Sequence, residues 1–233
     1  DLVTRNPSNI PFLKRLAQAQ FAEGRGAEAV ATLEQTLELA PDSVFVNMAL
    51  ADTFRLMEKT DEARLAYRTT LDIDPRWAPA WLGLAELAES NEGRRSILTE
   101  AEGAGAGSLE VLLQLARLEV DAGHAETAAE LLERAEDLEP AAAGTHLERA
   151  RLLEAQGRKD EALASCATAA ELEPANPLTA LCTGRVYLAL GEPSRARPHL
   201  RRAAVLGKGT DIEQEAIGLL EATPPKPAEN PES

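Results

Sequence analysis

Hydrophobic and polar positions along the chain follow a helical period. In residues 109–142, one apolar stripe consists of Leu112, Leu115, Ala116 and Leu118. After a short polar gap, a second stripe consists of Leu131, Leu132, Ala135 and Leu138. Apolar residues spaced three and four positions apart form one face of an α-helix. The pattern therefore predicts a pair of amphipathic helices, and no stretch of the chain alternates as a half-buried β-strand would.

This two-helix pattern returns at a fixed interval of about 34 residues. Small residues mark one register, at Ala17, Ala51, Ala85, Ala116, Ala150 and Gly184. Alanines mark a second register, at Ala29, Ala63, Ala128, Ala162 and Ala196, and prolines mark a third, at Pro7, Pro41, Pro75, Pro140 and Pro174. The spacing is 34 residues per repeat except across residues 85 to 116, where the chain is three residues shorter. Self-similarity at this period is typical of solenoids built from helical hairpins.

The period predicts the domain organisation of the whole chain. We expect six repeats, at residues 10–43, 44–77, 78–108, 109–142, 143–176 and 177–210. A capping helix is expected at 211–222, because the last repeat of a solenoid would otherwise expose apolar surface. The proline-rich residues 223–233 are expected to be a disordered tail. Residues 1–9 match the end of a repeat, so we expect the natural protein to continue upstream.

The third repeat carries the three-residue deletion. Its second stripe is in register with that of the fourth repeat, so the deletion lies between Ala85 and Leu98. We expect a shortened turn at residues 90–95, and a short second helix that ends in the glycine-rich residues 103–107. A hinge or a local change of pitch is predicted there.

The chain resembles the tetratricopeptide repeat family. The likeness rests on a repeat length of about 34 residues, a small residue at the eighth position, alanine at the twentieth and proline at the thirty-second. It covers residues 10 to about 208. The resemblance implies an all-α fold, namely a right-handed α-solenoid of about six helix-turn-helix repeats, whose first helices line a concave groove.

The resemblance also implies that the fifth and ninth positions of each first helix face this groove. These partner-binding candidates are Met48, Asp52, Leu82, Glu86, Leu113, Arg117, Leu147, Arg151, Leu181 and Arg185. The ninth positions change sign along the chain, from two acidic residues to three arginines. We expect basic groups of a bound segment to face the acids and acidic groups to face the arginines. Alternatively, the leucines pack between helices and the arginines pair with intramolecular acids such as Glu148 or Glu154.

Composition narrows the range of partners. The formal net charge is −15, from 24 basic and 39 acidic residues, and no basic stripe is present. Nucleic acids and anionic membranes are therefore poor partners, and no apolar run reaches the length of a membrane-spanning helix. Cys166 and Cys182 occupy small-residue helix positions on neighbouring helices, and we expect free thiols rather than a disulfide. The compartment is unknown, with the cytoplasm slightly favoured over the periplasm.

No catalytic, metal or cofactor site is predicted. The glycines at 103, 105 and 107 lack the strand that a dinucleotide-binding loop requires. The three histidines fall in different repeats, without the spacing of metal ligands. A chaperone-tail clamp is rejected because its positions are occupied by Lys14, Gln18, Ala49, Pro79 and Gly83.

These observations favour a non-enzymatic protein-protein interaction scaffold that binds a partner segment in the groove. Two alternatives stay open. The chain could be the regulatory or substrate-recruiting arm of an enzyme whose catalytic domain lies upstream. It could also be a self-assembling scaffold that associates through its N-terminal end, with Pro11, Phe12, Leu16 and Phe21 as the contacting residues.

Overall fold

The computed structural model describes residues 10–223, and these residues contain thirteen α-helices and no strand. The helices of the first three repeats are α1 (Ile10–Ala22), α2 (Gly26–Leu39), α3 (Val44–Leu56), α4 (Thr60–Ile73), α5 (Ala78–Glu86) and α6 (Asn91–Gly103). Those of the next three are α7 (Leu109–Asp121), α8 (Ala125–Leu138), α9 (Ala143–Ala155), α10 (Lys159–Leu172), α11 (Pro177–Ala189) and α12 (Pro193–Leu206). The capping helix is α13 (Asp211–Ala222). The predicted all-α architecture of paired helices with a final capping helix is confirmed.

Two predictions lie outside the described residues. They are the upstream repeat end at residues 1–9 and the tail beyond Thr223.

The chain divides into two compact units. The N-terminal unit comprises residues 1–111, and the C-terminal unit comprises residues 112–233. Within the N-terminal unit each helix from α1 to α6 packs against the next, and α1 also contacts α3. Within the C-terminal unit the same consecutive packing runs from α8 to α13, and contacts between alternate helices join α9 to α11 and α11 to α13. Nearest-neighbour packing of this kind is how repeat proteins bury their apolar faces.

The registers of small residues form the close contacts between helices. The alanines of the twentieth position are all fully buried, at Ala29, Ala63, Ala128, Ala162 and Ala196. The small residues of the eighth position are buried as well, at Ala17, Ala51, Ala85, Ala116, Ala150 and Gly184. A larger side chain would force the helices apart at these points. At Gly184, an added Cβ would lie only 2.6 Å from the Cδ2 atom of Leu200.

The turn inside most repeats requires a left-handed residue. Gly123, Gly157 and Gly191 occupy this position in the last three repeats, with φ values of 82°, 75° and 76°. Glycine adopts this conformation without the steric cost that a Cβ atom imposes. In the second repeat the same position is Glu58, whose φ is 59°.

The deletion in the third repeat shortens its first helix. Helix α5 has nine residues, whereas α3 and α7 have thirteen. The predicted turn at residues 90–95 is wrong, because helix α6 begins at Asn91, and α6 itself is a full thirteen residues long. Ser90 caps the N-terminus of α6, because its Oγ atom accepts a hydrogen bond from the backbone N–H of Gly93 at 3.1 Å. The Nε–H of Arg94 donates to the Ala85 carbonyl at 3.2 Å, which satisfies a backbone acceptor at the shortened end of α5.

Two pairs of neighbouring repeats meet at the same pair of positions. In both, the first member is the twenty-fourth residue of its repeat and is fully buried, and the second member is the sixth residue of the next repeat, 16 positions later. Between the second and third repeats this pair is Tyr67 and Gly83, where an added Cβ would lie 2.3 Å from the tyrosine Cζ atom. We call this pair of positions the repeat junction.

A disulfide occupies the repeat junction between the fifth and sixth repeats. Cys166 and Cys182 are bonded, with their Cα atoms 5.8 Å apart, and the prediction of free thiols is wrong. The physical reason is that the junction brings the twenty-fourth and sixth positions to the separation that a disulfide spans. The described residues hold no free cysteine.

Candidate partner-binding site

The ten predicted binding residues all lie on first helices. Met48 and Asp52 are on α3, and Leu82 and Glu86 are on α5, within the N-terminal unit. The other six lie in the C-terminal unit, on helices α7, α9 and α11: Leu113, Arg117, Leu147, Arg151, Leu181 and Arg185. We call these ten residues the first-helix face and describe each unit separately.

A hydrogen-bonded network surrounds the acidic residues of the N-terminal unit. The hydroxyl of Tyr67 donates to Oδ1 of Asp52 at 2.7 Å, and the Nε–H of Arg55 donates to the same hydroxyl at 3.2 Å. Arg55 also forms an ion pair with Glu86 at 3.2 Å. Burial, followed by the bond to Asp52, raises the pKa of Tyr67, so its hydroxyl stays protonated as a donor. Arg55 therefore neutralises much of the acidic charge at this end of the predicted row.

In the C-terminal unit, Glu148 links two arginines. Its side chain is 9% exposed, and its Oε1 atom accepts from Nε and Nη2 of Arg117 at 3.0 and 2.5 Å. Its Oε2 atom lies 3.3 Å from Nε of Arg151 on the same helix. A buried carboxylate needs such partners, because burial of an isolated charge is costly. The contact joins helices α7 and α9 through their side chains.

The other arginines of the row also have acidic neighbours. Arg151 lies 3.6 Å from Asp121, and Arg185 lies 3.5 Å from Glu215 on the capping helix. Burial raises the pKa of the neighbouring Glu154 carboxyl, while Arg185, Arg151 and Lys159 act in the opposite direction. All three arginines therefore pair with acidic residues of the same chain, as the alternative expectation held. Their side chains nevertheless remain 49%, 32% and 39% exposed for Arg117, Arg151 and Arg185, so each guanidinium still presents surface to solvent.

The apolar residues of the first-helix face differ in exposure. Met48, Leu82, Leu113 and Leu147 are partly exposed. Leu113 packs against α9, where an added Cβ on Gly144 would lie 2.9 Å from its Cδ1 atom. Leu181 is only 4% exposed and belongs to the hydrophobic core formed by α11, α12 and α13. The four partly exposed side chains can therefore contact a partner, whereas Leu181 cannot.

Several residues that shape this face were not among the predicted ones. Tyr67, Arg55 and Glu215 hold members of the row in place. Opposite charges placed nearly one repeat apart, as Arg117 and Glu148 are, form the sequence signal that could have found the pairs. Phe45, at the second position of α3, is 58% exposed and meets Trp77 edge-to-face with ring centroids 5.1 Å apart.

The N-terminal residues proposed for self-association are only partly described. Leu16 and Phe21 are half-buried, and Phe21 packs against the core of the first repeat. The side chains of Pro11 and Phe12 lie outside the described residues. Self-association through this end therefore stays a prediction.

The histidines are separate from one another. Nδ1 of His124 lies 2.6 Å from Oε2 of Glu119, while the ring of His199 packs on Tyr187 with centroids 5.5 Å apart. Over residues 10–223, no group of three or more histidine, cysteine, aspartate or glutamate side chains has the arrangement of a metal site. Nor does any helix in that range have the length and apolar character needed to cross a membrane.

Comparison with known proteins identifies the repeat. A tetratricopeptide repeat model matches residues 14–76 and 113–177, more than half of the chain, and a second tetratricopeptide repeat model matches residues 177–202. The chain belongs to the tetratricopeptide repeat family. No curated protein matches it in sequence.

Several solved structures share the fold. A tetratricopeptide repeat protein from Parabacteroides merdae superposes with a TM-score of 0.66 at 19% identity, covering 93% of this chain and 87% of that one. The pilF protein of Pseudomonas aeruginosa gives a TM-score of 0.64 at 20% identity, with 92% and 99% covered. YrrB gives 0.54 at 18% identity, with 80% and 97% covered. At the general level of its family, the chain is a protein-interaction scaffold with a generally non-catalytic fold.

Proposed function

We propose that this tetratricopeptide repeat chain is a non-catalytic scaffold that binds an extended or helical segment of a partner protein along its first-helix face. The binding residues are those of the face that keep exposed surface: Met48, Asp52, Leu82, Glu86, Leu113, Arg117, Leu147, Arg151 and Arg185. Leu181 is left out because it is buried.

The observation that carries this proposal is the residual exposure of apolar and charged groups at repeating positions of the first helices. In the C-terminal unit, half-exposed Leu113 and Leu147 each lie one helical turn from a half-exposed arginine. Apolar side chains supply contact area, and the planar fork of arginine binds a carboxylate. A solenoid repeats this combination at each first helix, which suits a segment that contacts several repeats in succession.

The intramolecular ion pairs refine the expected partner. An acidic group of the bound segment would share each arginine with Glu148, Asp121 or Glu215 rather than meet an unpaired charge. We therefore expect apolar contacts to supply most of the affinity and charge to supply selectivity. YrrB, which shares the fold, is described as a tetratricopeptide repeat protein with an unusual peptide-binding site, and this supports peptide recognition as a function of such a scaffold.

We also propose an oxidising compartment for the chain. The Cys166–Cys182 disulfide supports this location over the cytoplasm that the sequence slightly favoured, because disulfides persist in oxidising compartments and are rare in the cytosol.

The test is a quantitative pull-down followed by affinity measurement on the recovered partner. The variant reverses the three arginines of the row, as Arg117→Glu, Arg151→Glu and Arg185→Glu. We expect loss of a partner that carries acidic residues, and retention of binding in a matched control with the same change in net charge. The control reverses Arg68, Arg158 and Arg201, which are exposed and lie outside the first-helix face.

Two results would contradict the proposal. One is equal partner affinity in the wild type and in both triple variants, combined with no effect of Leu113→Asp and Leu147→Asp. The other is enzymatic turnover by the isolated chain. Circular dichroism of every variant separates a lost contact from a lost fold.

A further inference from the structure

The two cysteines of the disulfide differ in their access to solvent. Cys166 of α10 is fully buried, in a core that also contains the fully buried side chains of Ala150, Ala162 and Val186. Cys182 of α11 is only half-buried and packs against the edge of that core. A small redox reagent therefore meets Cys182 first. Thiol–disulfide exchange needs such access to one of the two sulfur atoms.

Cysteine is the smallest residue at the buried position of the repeat junction. The aligned residue of the other five repeats is large and fully buried in each case: Leu33, Tyr67, Leu98, Leu132 and Leu200. Leu33 packs in one core with Ala49, and Leu200 packs in one core with Ala216, so a leucine and an alanine occupy the same pair of positions there. At the junction of the fifth and sixth repeats, the bonded pair of sulfur atoms takes the place of that large side chain.

Reduction of this bond changes the packing as well as the connection. Two thiols cannot approach each other as closely as two bonded sulfur atoms do, so they do not fit the arrangement that the disulfide fills. If both thiols stay inside, the junction is overpacked and α10 and α11 are forced apart. If Cys182 turns toward solvent, a cavity is left beside Cys166. Both results loosen the contact between the two helices.

Helix α11 connects the junction to the first-helix face. Arg185 follows Cys182 by three residues, which places the two side chains on the same side of α11. Arg185 pairs with Glu215 of α13 at 3.5 Å, and it opposes the rise in pKa that burial causes at Glu154 of α9. Both α9 and α13 contact α11. Because close-packed interiors transmit small displacements, a change in the seating of α11 moves Arg185 relative to these two acids.

We infer that oxidation of Cys166 and Cys182 is a maturation step that brings the C-terminal part of the first-helix face into its binding form. This inference rests on the proposed function of that face and on the oxidising compartment proposed with it. Before the bond forms, the dithiol chain binds its partner weakly. Once the bond forms, α11 is seated and Arg185 takes its place in the row.

The oxidation step balances with a small disulfide, RSSR, as the oxidant. The Cys182 thiolate attacks one sulfur atom of RSSR and expels RS⁻, which leaves a mixed disulfide on Cys182. The Cys166 thiolate then attacks the Cys182 sulfur atom, and a second RS⁻ leaves. The two protons lost by the cysteines end on two RSH molecules, and two electrons pass from the protein to the oxidant.

Two double variants separate the bond from the packing that it provides. Cys166→Leu with Cys182→Ala installs the pair that stands at residues 33 and 49 and at residues 200 and 216. This variant should keep α11 seated whatever the redox conditions. Cys166→Ala with Cys182→Ala removes the bond and leaves a cavity, so it should resemble the reduced wild type.

The measurement compares the oxidised chain with the chain reduced by dithiothreitol. NMR follows the Nε–H signal of Arg185 and the backbone amides of α11. We expect these signals to shift on reduction and the α11 amides to exchange at least about tenfold faster. The leucine–alanine variant should keep the oxidised pattern. Affinity for the partner, purified from the pull-down with the oxidised chain, should fall at least about fivefold in the reduced chain and in the double-alanine variant.

Three results would overturn the inference. The first is an unchanged Arg185 signal and unchanged α11 exchange on reduction. The second is a folded leucine–alanine variant that matches the reduced chain in both measurements. The third is equal partner affinity of the oxidised and reduced chains, together with loss of affinity in the arginine triple variant, which would leave the proposed function intact. Partner affinity that the arginine triple variant does not change would instead contradict the proposed function, and the inference would fall with it.

Discussion

The N-terminal and C-terminal units join neighbouring repeats at the same pair of positions but with different side chains. At the repeat junction of the N-terminal unit, the fully buried ring of Tyr67 rests on Gly83, and its hydroxyl reaches back to Asp52. At the equivalent junction of the C-terminal unit, the ring and the glycine are replaced by a covalent bond between Cys166 and Cys182. Sixteen residues separate the two members in both cases.

The difference shows that the repeat specifies where two helices meet but not how they are joined. A large side chain opposite glycine and two small thiols opposite each other fill a similar space. The aromatic junction relies on burial and on the two hydrogen bonds of the Tyr67 hydroxyl, whereas the disulfide also restricts the unfolded chain. The two junctions should therefore respond to different perturbations.

The charged rows of the two units show a related contrast. Glu86 occupies the ninth position of its repeat and pairs with Arg55 of the preceding repeat. Arg151 occupies the ninth position of its repeat and pairs with Asp121 of the preceding repeat. The sign of the row is reversed, and the sign of its partner is reversed with it. In each unit, residues of opposite charge thus neutralise part of the charge at the ninth positions. A ligand therefore meets less net charge than the change of sign along the sequence suggests.

Removal of the aromatic junction should have the largest effect. Tyr67→Ala leaves a cavity beside Gly83, and we expect a loss of about 3–5 kcal/mol in the free energy of unfolding. Tyr67→Phe keeps the ring and loses the bond to Asp52 and the bond from Arg55, which together should cost about 1–2 kcal/mol. Urea unfolding followed by circular dichroism measures both. Equal losses in the two variants would show that the ring itself contributes little.

Reduction of the disulfide should have the next largest effect, and it should act on the C-terminal unit. The bond closes a loop of about 15 residues, for which the chain-entropy model gives about 3 kcal/mol. Hydrogen exchange in the presence of a reductant should accelerate in α10 and α11, with no change in α3 and α4. The Cys166→Ala/Cys182→Ala variant is the control, and its unfolding should be insensitive to the reductant. Faster exchange throughout both units would contradict a local role.

Transfer of the disulfide to the other unit would sharpen the comparison. If the two junctions are geometrically equivalent, Tyr67→Cys with Gly83→Cys should form a disulfide under oxidising conditions, as detected by intact mass after alkylation. The new bond should recover about 3 kcal/mol of the loss caused by removal of the ring, measured as the difference between oxidised and reduced forms. Persistent alkylation of both cysteines under oxidising conditions would show that the equivalence fails.

A substitution in the turn of the second repeat should have a smaller effect, and it should increase stability rather than reduce it. Glu58 adopts a φ of 59° where Gly123, Gly157 and Gly191 stand in the C-terminal unit. Since a Cβ atom in this conformation costs about 1–2 kcal/mol and glycine loses part of that gain in entropy, Glu58→Gly should stabilise the chain by about 0.5–1 kcal/mol. Gly157→Glu is the reciprocal variant and should destabilise. Thermal unfolding measures both, and stabilisation by both variants would refute the argument.

The smallest effect should be a change in pH dependence. The folded-state pKa of Glu154 lies above its ordinary value, because burial disfavours the carboxylate. The contribution of this residue to stability is therefore greatest below the ordinary glutamate pKa and declines as pH rises through the raised value. Glu154→Gln should remove that decline, so the variant gains on the wild type from acidic to neutral pH. Parallel melting temperatures of the two proteins across this range would contradict the assignment.

Sequence periodicity predicted the helices and the buried small residues well, but not the side-chain partners. The alanines at the eighth and twentieth positions had to be buried, because their spacing leaves no other face for them. The deletion was located between Ala85 and Leu98, yet its effect on α5 rather than on the turn depended on the cap formed by Ser90. Leu181 shares its position with Leu113 and Leu147, yet it is the one of the three that is buried, in the core formed by α11, α12 and α13.

The sequence by itself determined a regular series of helical pairs, the small residues that let these helices approach, and most of the turns that join them. The tertiary structure decided which atoms meet across the repeats, namely the two sulfur atoms of the disulfide and the acid that each arginine contacts. Helix formation and burial depend on periodic spacing, which is written along the chain. Side-chain pairing depends on the direction that each side chain takes from its helix toward another helix, which spacing alone does not specify.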